Sequence, residues 1–122
     1  MKTSKNTLVL GASDNPERYS YLAVNRLRHY GHTVFAIGKK RAKVADVEVE
    51  TAIRSYRNVH TVTLYLNPMR QKEYYDYIIS LRPQRIIFNP GAENRELAEI
   101  AAAQGIQVMN ACTLVLLSTN QF

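Results

Sequence analysis

The chain has 122 residues, of which 46% are hydrophobic, and 16 Lys and Arg against 10 Asp and Glu give a net charge of +6. This length fits one domain, so we predict a single domain over residues 1–122. No apolar run is long enough to span a bilayer, and the single cysteine, Cys112, excludes an internal disulfide. The first residues lack the apolar core of a secretory signal, so we expect a cytoplasmic protein with no membrane partner.

Residues 7–30 predict a buried strand, a tight turn and a helix. Leu8–Leu10 form a continuous apolar run, Gly11 and Ala12 leave the backbone open to close approach, and Pro16 is expected in the first helical turn. The apolar face of the helix is predicted to comprise Tyr19, Leu22, Ala23, Leu27 and Tyr30. A strand, turn and helix of this kind direct free N–H groups and the helix dipole at one point, which favours a phosphate.

Further along the chain, apolar runs alternate with helical patterns. Strands are predicted over residues 33–37, 59–66, 85–88 and 106–109, and helices begin at residue 68, near residue 97 and at residue 113. Residues 44–58 are weakly patterned, and residues 51–56 are compatible with one turn of helix. The alternation predicts an α/β fold, a parallel sheet with helices on both faces, whose ligands bind at the carboxyl ends of the strands.

The predicted strand ends are rich in glycine and basic residues. They are Gly11-Ala12-Ser13, Gly38-Lys39-Lys40, Leu66-Asn67-Pro68 and Asn89-Pro90-Gly91. The first departs from the GxGxxG dinucleotide fingerprint, because Ser13 and Pro16 replace the later glycines. Lys39 and Lys40 follow the second strand, where a carboxylate would hold an NAD ribose, and this favours a phosphorylated ribose as in NADP or coenzyme A. The alternative interpretation is that Lys39 and Lys40 belong to a solvated run of charges in a surface loop and bind no ligand.

Two side chains beside the first turn are candidate ligand contacts. Arg18 could reach a diphosphate with its planar guanidinium, and Ser13 could donate to a phosphate. A helix-surface arginine and a turn serine are the structural alternatives. Of Tyr19 and Tyr21, which flank the loop, one is expected in the core, and we assign Tyr21 to the pocket.

Motifs for catalysis, metal binding and nucleic-acid binding are missing. His29, His32 and His60 are scattered, with the first two expected on the surface or at a helix cap, and no HExxH or CxxC spacing occurs. We find no carboxylate near the end of the second strand and no acidic cluster for Mg²⁺. The tyrosines follow helix or core spacing and form no stacking platform for bases. We therefore predict no catalytic residues, no metal and no nucleic acid.

Three segments carry a family resemblance: GASDNPERYSY, Asn89-Pro90-Gly91 continued as AENREL, and the closing CTLVLLSTNQF. They resemble the stand-alone CoA-binding domain proteins of bacteria and archaea, which are similar to the amino-terminal domain of the succinyl-CoA synthetase α subunit. The resemblance covers Leu8 to Phe122. It implies a Rossmann-like, doubly wound parallel sheet in a single three-layer domain, with coenzyme A or an acyl-CoA at the carboxyl edge.

The resemblance also implies positions for the ligand. Gly11-Ala12-Ser13 would approach the diphosphate with Arg18 near it, Lys39-Lys40 would face the phosphorylated adenosine, and Asn89-Pro90-Gly91 would line the path of the pantetheine arm. Many relatives carry VxPVNPK after the second strand, whereas this chain has FAIGKKR, so Gly38 predicts a more mobile loop there.

The synthetase also uses a phosphohistidine and a grasp-type partner domain, and this sequence has neither. The resemblance therefore implies coenzyme A binding without thioester chemistry, in a non-catalytic or regulatory role. The alternatives are an NADP-dependent or other nucleotide-using enzyme, and a ligand-free interaction protein with this fold. A homodimer is the assembly expected for a small domain of this type.

Overall fold

The computed structural model describes residues 4–122. Residues 1–3, which belong to the predicted domain and to the stretch considered for a secretory signal, lie outside the described residues. Within residues 4–122 the strands are β1 (Thr7–Ala12), β2 (Val34–Gly38), β3 (Ala42–Val44), β4 (Val47–Glu50), β5 (Thr61–Leu64), β6 (Arg85–Phe88) and β7 (Gln107–Asn110). The helices are α1 (Tyr19–His29), α2 (Pro68–Gln71), α3 (Tyr75–Ser80), α4 (Arg95–Ala103) and α5 (Thr113–Ser118), with a 3-10 turn at Lys72–Tyr74. None of these helices is long and apolar enough to cross a membrane.

The strands form one sheet in the order β3-β4-β2-β1-β5-β6-β7. Neighbouring strands are parallel except β3 and β4, which pair antiparallel. The chain winds outward from β1 in both directions, so the strand order reverses between β1 and β5. This is the predicted doubly wound parallel sheet, and ligands of such sheets bind at the carboxyl edge beside the reversal.

Two apolar clusters hold the helices against opposite faces of the sheet. On one face, Val9 of β1 packs with Leu27 of α1 and Leu117 of α5. On the other face, Leu8 of β1 packs in a cluster that includes Leu97 of α4. Alternate residues of a strand point to opposite faces, so one short apolar run supplies both layers. The predicted three-layer, single-domain α/β fold is confirmed.

Most predicted strands differ from the observed ones only at their ends, but residues 42–58 fold differently from the prediction. They form a hairpin of β3 and β4 around a two-residue turn, in which Ala45 has a φ of 55°. Val44, Val47 and Val49 are its buried residues. The helical turn considered for residues 51–56 is wrong, because that segment is irregular and mostly exposed.

The start of α1 also differs from the prediction. Pro16 lies in a loop of residues 13–18, and the helix begins at Tyr19. Within the loop, the Ser13 Oγ accepts a hydrogen bond from the Asn15 N–H at 3.0 Å, and the Asn15 Oδ1 accepts one from the Glu17 N–H at 3.0 Å. Side chains that bond their own backbone in this way compete with helix formation.

The later start changes which side chains of α1 are buried. Ala23 and Leu27 are buried as predicted, but Tyr19 is 70% exposed and Leu22 is 40% exposed. Tyr21 is half-buried and packs against the core cluster on its face of the sheet. Tyr21 is therefore the tyrosine of the pair that contacts the core, and Tyr19 stands in solvent above the loop.

Candidate functional site

Gly11 shapes the carboxyl end of β1 at the point where the strand order reverses. Its φ of +92° lies in the left-handed region, and the register of β1 against β2 shifts between Leu10 and Ala12. A Cβ at Gly11 would lie 3.0 Å from the Tyr65 carbonyl carbon and 3.2 Å from the Leu66 nitrogen. Glycine therefore lets β1 bend against the chain that leaves β5, and this bend delivers loop 13–18 to the edge.

Loop 13–18 presents backbone donors that the chain itself does not use. Among the described residues, no acceptor bonds the N–H groups of Ser13 and Asp14, or those of Tyr19 and Ser20 in the first turn of α1. Arg18 is the N-cap residue of α1, and its side chain makes no capping hydrogen bond. Free N–H groups at the start of an eleven-residue helix form an environment that favours an anion.

Two side chains of this loop are available to a ligand. Arg18 is exposed, and its guanidinium makes no ion pair or hydrogen bond within the part of the chain that the structure describes. The Ser13 hydroxyl oxygen accepts from the Asn15 N–H, which leaves the Ser13 hydroxyl proton free to donate. Both groups can therefore bind a negatively charged oxygen without breaking an internal bond.

Gly38 belongs to the sheet and not to the basic loop that follows it. It is the last residue of β2, pairs with Ala12 of β1, and has so little room that a Cβ would lie 2.2 Å from the Ala12 carbonyl oxygen. Glycine is therefore required at position 38 by the close approach of β1, while the expected mobility of the loop after it stays a prediction.

Lys39 and Lys40 extend from this tight junction into solvent. Both are exposed, and the Lys40 Nζ lies 3.5 Å from the Asp14 Oδ1. An exposed pair at this distance contributes little stability. The pair shows instead where the basic loop lies, because it places the residues after β2 against loop 13–18. Lys40 also offsets the charge of Asp14.

A carboxylate that the sequence analysis did not expect stands beside the end of β2. Glu50 closes β4, is in register with Ile37, and has a side chain that is 15% exposed. Its carboxylate lies 3.0 Å from the Arg54 guanidinium and 3.9 Å from that of Arg41. The expectation of no carboxylate near this strand end is wrong, because β4 was not recognised as the neighbour of β2.

Asn89 is buried beneath the edge and joins three elements. Its amide nitrogen donates to the Thr63 Oγ1 at 2.7 Å and to the Leu64 carbonyl at 2.9 Å, and its amide oxygen accepts from the Thr113 N–H at 2.9 Å. Both of its protons are used, and the residue is 1% exposed. Asn89 therefore ties β5, β6 and the start of α5 together, with no donor left for a ligand.

Pro90 and Gly91 continue from Asn89 as a type II turn. The Ala92 N–H donates to the Asn89 carbonyl at 2.8 Å, and Gly91 has the positive φ, +92°, that this turn requires. Pro90 and Gly91 are exposed, and the Gly91 N–H donates to a Glu93 carboxylate oxygen at 2.8 Å. Of the three residues expected along the pantetheine path, these two are accessible.

A buried polar network that the sequence analysis missed holds this turn in place. Gln71 is fully buried, and its amide nitrogen donates to the Leu66 and Ala92 carbonyls, both at 2.8 Å. Its amide oxygen accepts from Asn94 at 2.9 Å, and Asn94 also donates to the Tyr75 hydroxyl at 2.8 Å. The sequence did indicate that Gln71 is buried, because Gln71 lies four residues before Tyr75 on the apolar side of the helical pattern.

Tyr65 places a buried hydroxyl near the reversal point. That hydroxyl has no hydrogen-bond partner among the described residues. Burial raises the pKa of Tyr65 to about 12, and the hydroxyl dipoles of Thr113 and Thr63 oppose this rise while Cys112 adds to it. The phenol is therefore protonated at neutral pH, and it is no base for proton transfer there.

Comparisons with known proteins identify the family and the fold of the chain. A family model described as a CoA binding domain matches residues 5–118. The crystal structure of an uncharacterized protein is 45% identical, with a TM-score of 0.96 over 99% of this chain and 100% of that chain. No curated protein matches.

Two more distant solved structures share the fold. A hypothetical protein from Pyrococcus horikoshii OT3 is 23% identical, with a TM-score of 0.83 over 92% of this chain and 80% of that chain. A protein from Thermus thermophilus is 19% identical, with a TM-score of 0.82 over 98% of this chain and 91% of that chain. At these identities, the likeness shows the architecture alone.

Proposed function

The chain belongs to the CoA binding domain family, and we propose that it binds coenzyme A, free or acylated, at the carboxyl edge of the sheet in a non-catalytic or regulatory role. One observation carries the proposal. The 3.5 Å contact between Lys40 and Asp14 brings the basic loop after β2 beside loop 13–18, with its unused N–H groups, at the point where the strand order reverses.

The diphosphate of coenzyme A fits loop 13–18 best. The free N–H groups of Ser13 and Asp14 supply donors without a side chain, and the bend at Gly11 and the small Ala12 keep the approach open. The exposed guanidinium of Arg18 can add a bidentate contact to phosphate. Tyr21 is half-buried and packs against the apolar cluster on its face of the sheet, and its exposed part is proposed to line the pocket.

The phosphate on the ribose distinguishes coenzyme A from its dephosphorylated form, and we assign its recognition to Lys39 and Lys40. Both ammonium groups are exposed, so they bind without first losing a buried partner. Gly38 fixes where the loop leaves the sheet, because its backbone lies directly against Ala12. Lys40 also screens Asp14, whose carboxylate would otherwise repel the ligand.

The pantetheine arm is proposed to cross the turn at Pro90 and Gly91. These residues are exposed, and the buried Asn89 and Gln71 hold the turn from below. Asn89 therefore positions the path and does not contact the arm with its side chain.

We also propose that residues 1–122 work as one CoA-binding domain, in the cytoplasm and as a homodimer. Size-exclusion chromatography with light scattering tests the assembly: a mass twice 13.9 kDa supports the dimer, and a mass of 13.9 kDa refutes it.

A nucleotide-using enzyme is the second candidate, and Glu50 favours it. A carboxylate beside the end of β2, with its side chain only 15% exposed, can accept hydrogen bonds from an unphosphorylated ribose diol as in NAD, although Arg54 already engages it at 3.0 Å. A ligand-free interaction protein is the third candidate.

Thermal unfolding with coenzyme A, dephospho-CoA, NAD and NADP separates the three candidates. Coenzyme A at 100 times its dissociation constant should add about 2.7 kcal/mol, or roughly 10 °C for a chain of this size. A smaller rise with dephospho-CoA supports our assignment of the lysines. The largest rise with NAD or NADP would favour the enzyme, and no response would favour the interaction protein.

A further inference from the structure

The opposite, amino edge of the sheet carries a cluster of basic side chains that the proposed coenzyme A site does not use. Lys5 precedes β1, His60 precedes β5, and Arg85 opens β6, so parallel pairing brings all three to one edge. The ring of Phe122 lies over them, 4.3 Å from the Arg85 guanidinium carbon and 5.8 Å from the Lys5 Nζ. We call Lys5, His60 and Arg85 the amino-edge cluster.

Arg85 is the central member and is only partly satisfied. It is 7% exposed, its Nε donates to the Thr61 Oγ1 at 2.7 Å, and its Nη2 is buried with no hydrogen-bond partner among the described residues. The Phe122 ring contacts the face of the guanidinium and leaves the in-plane N–H groups of Nη2 unpaired. A buried cation of this kind is costly unless an anion or an acceptor joins it.

Lys5 adds positive charge beside Arg85, and His60 is affected by both charges. Burial lowers the pKa of Lys5, and the charge of Arg85 lowers it further. Burial also lowers the pKa of His60, and the charges of Arg85 and Lys5 lower it further. The Lys5 Nζ donates to the Phe122 backbone oxygen at 2.5 Å, and no Asp or Glu forms an ion pair with Lys5 or Arg85 within residues 4–122. His32, which was expected at the surface or at a cap, is buried beside them and accepts from the Lys5 N–H at 3.0 Å.

We propose that the amino-edge cluster binds a small oxyanion, a phosphate or a carboxylate, whose oxygens accept from the Arg85 Nη2 and the Lys5 Nζ. Phe122 covers this position with its ring and holds the Lys5 Nζ with its backbone oxygen. Entry of the anion therefore moves Phe122 aside, and an anion oxygen replaces the Phe122 oxygen as the acceptor from Lys5. The site is separate from the proposed coenzyme A site, because it lies at the other end of the strands.

The test follows the thermal-unfolding midpoint of the full chain as sodium phosphate rises, with ionic strength held constant by sodium chloride. The midpoint of the unmodified protein should rise by about 5 °C or more once phosphate exceeds its dissociation constant about tenfold. Arg85→Gln should remove this rise. Arg82→Gln, which changes an exposed arginine three positions earlier, should keep it.

A second control separates this site from the carboxyl edge. The triple variant Arg18→Gln, Lys39→Ala, Lys40→Ala should keep the phosphate response, because its three residues lie at the other edge. Loss of the response in that triple variant, or an unchanged response in Arg85→Gln, would overturn the proposal. Sodium acetate in place of phosphate identifies the ligand: a rise with both salts supports any small oxyanion, and a rise with phosphate alone supports phosphate.

A measurement on the unmodified protein covers the case in which Arg85→Gln does not fold. The His60 ring is titrated by NMR with and without phosphate, with Lys5, His32 and Arg85 as its charged or titratable neighbours. A bound oxyanion offsets the charges of Lys5 and Arg85, so the pKa of His60 should rise toward its ordinary value. A His60 pKa that phosphate leaves unchanged would refute the site.

Discussion

Replacement of Asn89 by alanine removes the buried amide that joins β5, β6 and α5. The variant loses the hydrogen bonds to the Thr63 hydroxyl, the Leu64 carbonyl and the Thr113 N–H, at 2.7, 2.9 and 2.9 Å. The Thr63 hydroxyl keeps a partner, because it also bonds the Thr113 hydroxyl at 2.8 Å. The Leu64 carbonyl and the Thr113 N–H lose their hydrogen bonds to the Asn89 amide, and no other side chain replaces that partner.

These two unpaired groups determine how much free energy of unfolding the Asn89→Ala variant loses. A buried polar group without its partner costs about 1–3 kcal/mol, and two such groups together with the loss of packing give a cost of about 3–5 kcal/mol. The site is 1% exposed, so water does not readily take the place of the amide. Replacement of a residue that only lined a ligand path would destabilise the ligand-free protein far less.

Urea denaturation without ligand measures this cost as a shift of the midpoint at constant slope. Asn110→Ala is the matched control, because Asn110 is exposed at the end of β7, in register with Phe88, which precedes Asn89. We expect the control to change the free energy of unfolding by less than about 0.5 kcal/mol. A loss below about 1 kcal/mol in Asn89→Ala would refute the structural role of this amide.

Two further predictions concern the sheet. Gly38→Ala should destabilise the protein by about 1–3 kcal/mol, because the new Cβ would lie 2.2 Å from the Ala12 carbonyl oxygen and push β1 away from β2. An unchanged urea midpoint would contradict this, because it would show that the two strands separate without cost. His60→Gln should weaken the dependence of stability on pH. Burial and the cations Arg85 and Lys5 hold the folded-state pKa of His60 below 6.5. The contribution of His60 to the free energy of unfolding is therefore fully present above pH 6.5 and is lost as the pH falls toward the folded-state pKa. Urea midpoints from pH 7 to pH 5 check this, and parallel curves for parent and variant would contradict it.

Most of the fold could be predicted because short apolar runs alternate with helical patterns. Leu8–Leu10 and Ile86–Phe88 are buried on both faces of the sheet, so their continuous apolar character marks them as central strands. The hairpin of β3 and β4 escaped prediction, because its strands are short and alternate with charged residues such as Lys43 and Glu48. Glu50 was missed for the same reason.

Periodicity places Gln71 on the apolar side of a helical pattern, but it does not identify the hydrogen-bond partners of a buried amide. Gln71 and Asn94 satisfy each other and the backbone of two loops, and only the three-dimensional structure shows those partners. Asn89 was identified by its place after a strand, but its buried role follows from partners on β5 and α5. The late start of α1 likewise depends on hydrogen bonds within residues 13–18.

The most direct test of the central proposal is a calorimetric titration of coenzyme A and of dephospho-CoA into the parent protein and the double variant Lys39→Ala, Lys40→Ala. A second double variant, Arg57→Gln, Arg82→Gln, removes the same charge from exposed positions before β5 and β6 and serves as the control.

We expect the parent and the control to bind coenzyme A alike, and the lysine variant to bind it about tenfold or more weakly, since a hydrogen bond to a charged group contributes about 1.5–3 kcal/mol. The lysine variant should also distinguish coenzyme A from dephospho-CoA less than the parent does, because the lysines and the ribose phosphate are proposed to interact. No binding by the parent, or equal affinity of the parent for the two ligands, would contradict recognition of coenzyme A at this edge.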